Sequence, residues 1–127
     1  MITEDFCSLE VAKLLKEKGF DELCIFKYSS EGVRMKAGVA IDEWQNSELD
    51  DDDECSCVSH QMAMKWLRET HNINIDIASI WNQKRFEYQV FVVTPENAKQ
   101  CYIDDKLYLG YEEAVEAGIK YCLEKLI

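Results

Sequence analysis

VSHQMAMKWLRETHNINIDI, residues 58–77, changes its apolar period midway, and that change decides the fold class. At about 100° per residue, Met62, Ala63, Trp66, Leu67 and Thr70 fall on one side, while Gln61, Lys65, Arg68 and Glu69 fall on the other. This predicts an amphipathic helix, with Ser59 placed to accept a hydrogen bond from a first-turn N–H. Beyond Asn72 the period becomes two, with Ile73, Ile75 and Ile77 alternating with Asn74 and Asp76. A helix therefore passes directly into a half-buried strand, and Trp66 with these isoleucines is the expected centre of the core.

Upstream, Ser8 caps a predicted helix over Leu9–Lys18, with Val11, Ala12, Leu14 and Leu15 on its dry side and Glu10 in its first turn. Gly19 ends it in a left-handed conformation that lets Phe20 fold back on Leu15. Leu23–Tyr28 reads as a strand and residues 29–32 as a turn. Val33, Met35 and Ala37 then alternate with Arg34 and Lys36, completing a hairpin. Gly38–Ile41 either extends its second strand or leaves it at a bulge.

Downstream, Ile73–Trp81 and Phe86–Thr94 form a second predicted hairpin, with Phe86, Tyr88, Val90 and Val92 on one face. Thr94, Pro95 and Glu96 read as a cap, a first-position proline and an acid, the signature of a short helical turn. Tyr102 to Leu109, broken at Asp104 and Asp105, reads as an edge hairpin or a strand with a turn. The last helix spans Tyr111–Leu126, with Ala114, Val115, Gly118, Ile119, Cys122 and Leu126 on one stripe. Gly118 in mid-helix costs about 1 kcal/mol relative to alanine, so its place on the dry stripe implies a closely passing element.

The resulting expectation is an α+β fold in two layers, a mainly antiparallel sheet with three helices on one face, in the order α-β-β-α-β-β-(β)-α. A chain of 127 residues suits one domain over 1–127 with an acidic loop at 42–57. The balance of 14 Lys and Arg against 25 Asp and Glu gives a net charge of −11. Phosphate backbones and anionic membranes repel such a chain, so the expected partner is a protein with a basic surface, with neither nucleic acid nor membrane bound directly. No stretch of about 18 apolar residues is present, and MITEDFCSLE has neither a basic start nor an apolar signal core, which predicts a cytoplasmic protein. In that compartment Cys7, Cys24, Cys55, Cys57, Cys101 and Cys122 are expected as free thiols, Cys24 and Cys122 acting as small buried hydrophobes.

Three segments carry a resemblance: SLEVAKLLKEKGFDE, HQMAMKWLRETHNINIDI and YEEAVEAGIKYCLEKLI. They resemble those of a large group of small proteins of gut Bacteroidetes and their phages, which keep a first helix ending in glycine and phenylalanine, a central helix with Trp and Leu, and a terminal helix close to YEEAxEAxIKYCLExLI. The resemblance spans nearly the whole chain and implies a family and a setting without a chemistry, so no functional residue is carried over. The acidic insert at Asp50 to Glu54 is longer here than in that group.

That insert lies where the apolar period vanishes, between Asp42 and Cys57. Asp50, Asp51, Asp52, Asp53 and Glu54 stand consecutively, and mutual repulsion predicts an exposed, mobile loop, the candidate interaction surface. Cys55, Cys57 and His60 next to it have metal-ligand residue types but make an incomplete zinc set, with one residue between the cysteines and no second pair. His71 does not complete the set, because eleven helical residues beyond His60 place it roughly 16 Å away. A calcium loop of the EF-hand kind needs a glycine, and none occurs between Gly38 and Gly110. Cys57 near His60 has the residue types of a nucleophile and base, but neighbouring carboxylates raise a thiol pKa where catalysis needs it lowered. SLEVAKLLKEKGF also resembles the first helix of small helix-turn-helix domains, yet a strand follows where a recognition helix belongs. No catalytic residue and no cofactor is therefore expected. The expected function is that of a non-enzymatic protein-interaction or accessory protein of phage or mobile-element origin. The alternative is an acidic nucleic-acid mimic that blocks a DNA-binding partner.

Overall fold

The computed structural model describes residues 2–38, 43–103 and 106–127, apart from the side chain of Cys101. Its class is α+β, with antiparallel sheets and helices packed on them. The strands are divided between two sheets, one in each of two compact units, Met1–Ser59 and His60–Ile127.

In the first unit, α1 spans Leu9–Glu17 and is capped as its sequence predicts, the Val11 amide donating to Ser8 Oγ at 3.3 Å. Gly19 takes φ +95°, and the Phe20 amide reaches Leu15 O at 2.9 Å while the Gly19 amide reaches Lys16 O at 3.1 Å. That pair of bonds is the Schellman ending, and it drives Phe20 into the core at 1% exposure. Strands β1, Phe26–Tyr28, and β2, Arg34–Lys36, form the expected hairpin, with Lys27 opposite Met35. Residues 39–42 lie outside the described residues.

The acidic loop contains more structure than its sequence suggests. Asn46–Glu48 makes a 3-10 turn, and Cys55–Ser56 forms β3, antiparallel to β1 with Lys27 opposite Ser56 and Tyr28 opposite Cys55. Alternation separates the two faces of this sheet. Tyr28 and Cys55 share one face, and Cys55, buried, packs beside α1. Lys27 and Ser56 share the other, and at the outer edge of β3 Asn46 fastens the 3-10 turn: its Nδ2 donates to Phe20 O at 2.7 Å and its Oδ1 accepts from the Ser56 amide at 2.8 Å.

In the second unit, α2, His60–His71, leads through Asn72 into β4, Ile73–Ile80. Asn72 makes the reversal by adopting φ +58°, a left-handed conformation that asparagine tolerates. The buried stripe of α2 is His60, Ala63, Trp66 and Leu67. Met62 and Thr70 are exposed, so the dry face lies to one side of the expected stripe. Strand β5, Arg85–Val93, pairs with β4 in the register Ile73–Val92, Ile75–Val90 and Ile77–Tyr88. These pairs put the expected apolar residues on one face.

Thr94 to Glu96 is not a helical turn. The Thr94 amide donates to Asn97 O at 2.8 Å and Thr94 Oγ1 accepts from the Asn97 amide at 3.3 Å, which closes a hairpin into β6, Ala98–Ile103. Asp104 and Asp105 lie outside the described residues, and beyond them Tyr108 bridges Phe86. Helix α3, Tyr111–Lys125, buries Ala114, Val115, Gly118, Ile119, Cys122 and Leu123. A Cβ at Gly118 would lie 3.0 Å from Ile75 Cγ2 and 3.2 Å from Tyr88 Cγ, so the glycine admits the sheet to the helix axis as its position implied. Tyr102 stacks on Tyr121 at 4.0 Å with Tyr88 close to both, a cluster assembled from two strands and a helix that no local period reveals.

Candidate interaction site

The site is built on the first unit, where the acidic loop is tied to both faces of the sheet. Lys16, in the last turn of α1, donates from Nζ to Asp52 O at 3.0 Å and to Glu54 O at 2.6 Å. Lys27 of β1 reaches Glu54 Oε2 from the other face, and its ammonium also lies 4.9 Å from the Trp44 ring centre. Each side chain of the Lys27–Glu54 pair is 15% exposed. A partly dehydrated ammonium is costly without a partner, so Glu54 and the Trp44 face are what permit a lysine there. Inside the loop, Asp51 Oδ1 accepts from the Asp53 amide at 2.9 Å and Asp51 O from the Glu54 amide at 3.0 Å.

The five acidic residues therefore divide into two groups. Asp50, Asp51, Asp52 and Asp53 project into solvent, as expected from their repulsion. Glu54 is turned inward as a structural anion, and the backbone of the run is tethered at Asp52 and Glu54, where a mobile loop was expected. Between α1 and the loop lies a cleft of about 410 Å³, lined by Lys13, Lys16, Glu17 and the loop residues 52–55.

The candidate metal ligands have a different role. Cys55 and Cys57 are 1% and 2% exposed in the first unit, and burial raises both thiol pKa values, with Lys16 and Lys13 opposing the rise at Cys55. Burial likewise pushes Cys24 up to about 11. Thiols held protonated in this way are poor ligands and poor nucleophiles. His60 belongs to the second unit, where its Nε2 is 3.3 Å from Glu116 Oε1 on α3. Cys7, Cys24, Cys55, Cys57 and Cys122 are buried thiols that are not in disulfides, and the Cys101 side chain is outside the described residues. Among the described residues no helix is long and apolar enough to cross a membrane.

Lys16, Lys27, Asn46 and Trp44 are the residues whose part in the site the sequence reading missed. One signal was available: Lys27 interrupts the strand reading CIFKY, and a charge inside a strand asks for a counter-charge nearby. Compared with known proteins, the chain matches no family model, no curated protein and no solved structure.

Proposed function

We propose that this chain is a non-enzymatic protein-interaction or accessory protein of phage or mobile-element origin that binds a basic protein surface through Asp50, Asp51, Asp52 and Asp53. The observation that carries this reading is the tethered presentation of these carboxylates. Lys16 and Lys27 hold the run at Asp52 and Glu54 while the side chains of Asp50 to Asp53 face solvent, which lowers the ordering cost of binding. The net charge of −11 adds long-range attraction for cationic partners.

The test is capture from a lysate by the full chain and by a variant with Asp50, Asp51, Asp52 and Asp53 all changed to Asn. The captured proteins are expected to be basic, to elute with moderate salt and to be lost with the variant while its circular dichroism is unchanged. An identical set on both baits would overturn the reading. The mimic of nucleic acid is the second reading, favoured by the same row of exposed carboxylates. It requires that added DNA compete for every captured protein.

A further inference from the structure

Strand β4 ends its sheet with an unused backbone edge. The sheet order is β4-β5-β6, so among the described residues β4 pairs on one side alone. Hydrogen-bonded and non-hydrogen-bonded pairs alternate along an antiparallel ladder. One step beyond the Ile73–Val92 pair, the Val93 amide donates to Asn72 O at 2.8 Å, which makes Asn72 opposite Val93 a bonded pair and places the next ones at Asn74, Asp76, Ala78 and Ile80. The N–H and C=O groups of Ile73, Ile75, Ile77 and Ser79 therefore point away from β5, and among the described residues no backbone group pairs with them. The other sheet edges are guarded. Strand β2 has three residues and carries the exposed cations Arg34 and Lys36, and β3 has two residues. Strand β6 carries Lys99, follows Pro95 and pairs with β5 through a register shift between Val90 and Phe91. Shortness, cations, proline and bulges are the devices that keep an edge from pairing. Strand β4, INIDIASI, has eight residues, an unbroken register and none of these devices.

A row of alternate backbone donors and acceptors is complementary to another extended backbone, and the side chains of β4 select which. Asn74 and Asp76 flank Ile75 on the face opposite the isoleucines, and Asn74 Nδ2 donates to Asp76 Oδ1 at 2.6 Å. The Asn74 amide has a second hydrogen to give, and the Asp76 carboxylate accepts from more than one donor. If two β4 strands run antiparallel about a twofold axis at Ile75, each Asn74 stands opposite the partner's Asp76, and Ile73 opposite the partner's Ile77. We propose that a second copy of this chain docks on β4 in this register, joining the two sheets edge to edge, with backbone bonds at Ile73, Ile75 and Ile77 and an Asn–Asp ladder on the outer face. An axis at Asp76 would set that carboxylate against the partner's Asp76, and an axis at Ile77 would set Asn74 against the partner's Ile80, so neither neighbouring register matches the polar groups.

The net charge of −11 on each copy opposes this association, so the dimer should strengthen with added salt, the reverse of binding through the acidic run. Sedimentation equilibrium of the full chain is expected to show a monomer–dimer equilibrium about tenfold tighter in roughly 0.5 M salt than in roughly 0.02 M. Asn74→Asp sets carboxylate opposite carboxylate twice across the axis and should weaken the dimer about tenfold. Adding Asp76→Asn returns an amide opposite each carboxylate and should recover it. Hydrogen exchange in the unaltered protein reads the register without any variant: the Ile75 and Ile77 amides should gain protection as concentration rises, while the Ser79 amide, beyond the paired stretch, should not. A monomer at every concentration and salt, a dimer without concentration-dependent protection at Ile75 and Ile77, protection extending to Ser79, or failure of the exchanged pair to recover the dimer would each overturn the proposal.

Discussion

The two units solve the problem of fixing a sheet in opposite ways. In His60–Ile127, long strands of eight and nine residues pair in continuous register, and α3 packs closely on their apolar face through Gly118. In Met1–Ser59 the strands are two or three residues long, and side-chain hydrogen bonds do much of the fixing: Asn46 to Phe20 and Ser56, Lys16 to Asp52 and Glu54, Lys27 to Glu54. Apolar packing tolerates exchange of one hydrocarbon for another of similar volume, whereas a buried amide that satisfies two backbone groups admits few substitutes. Stability should therefore follow apolar volume in the second unit and individual polar atoms in the first.

The largest effect is expected in the second unit. Trp66 is 6% exposed and its ring meets that of His71 edge-on at 4.8 Å, so Trp66→Ala should cost about 3–5 kcal/mol, read as a fall in the denaturation midpoint. A midpoint close to that of the unaltered protein would show that the core lies elsewhere.

Asn46→Ala removes far less apolar surface, yet it leaves Phe20 O and the buried Ser56 amide unpaired and should cost about 2–4 kcal/mol. Asn46→Leu, which restores volume without the amide, should do no better. If leucine recovered the stability, the contrast between the units would collapse into ordinary packing.

A smaller effect concerns the buried thiols. An unfolded cysteine ionises near pH 9, whereas burial holds the proton on Cys24 up to about pH 11. Between these values the folded state binds more protons than the unfolded one, so stability should be full below pH 9 and fall as pH rises toward 11. Equilibrium unfolding across that range checks this. Cys24→Ala should flatten the slope, and an unchanged slope would contradict the assignment to this thiol.

The same contrast explains what was legible in the sequence. The second unit declared itself because helix and strand periods register which face is apolar, and Gly118 on a dry stripe announced a close approach, borne out by the 3.0 and 3.2 Å at which a Cβ there would meet Ile75 and Tyr88. The expected stripe differs from the buried one at its margins: Met62 and Thr70 are exposed, and His60, with Glu116 as its neighbour, is buried in their place. At Thr94 to Glu96 a cap signature was also a turn signature, and hydrogen bonding to Asn97 decided between them. The first unit was legible at α1, where Ser8 and Gly19 act locally. Its acidic loop was not, because tethers from Lys16 and Lys27 join residues 27 to 38 positions apart and leave no periodic trace.

The central claim is that the acidic run is held in place for presentation. It is tested most directly by backbone ¹⁵N relaxation at Asp51, Asp52, Asp53 and Glu54 in the free protein. Tethering by Lys16 and Lys27 predicts order parameters near the rigid-backbone value of about 0.85, falling in the Lys16→Met, Lys27→Met double variant. Values below about 0.6 in the unaltered protein would show a flexible solubilising loop and contradict the account.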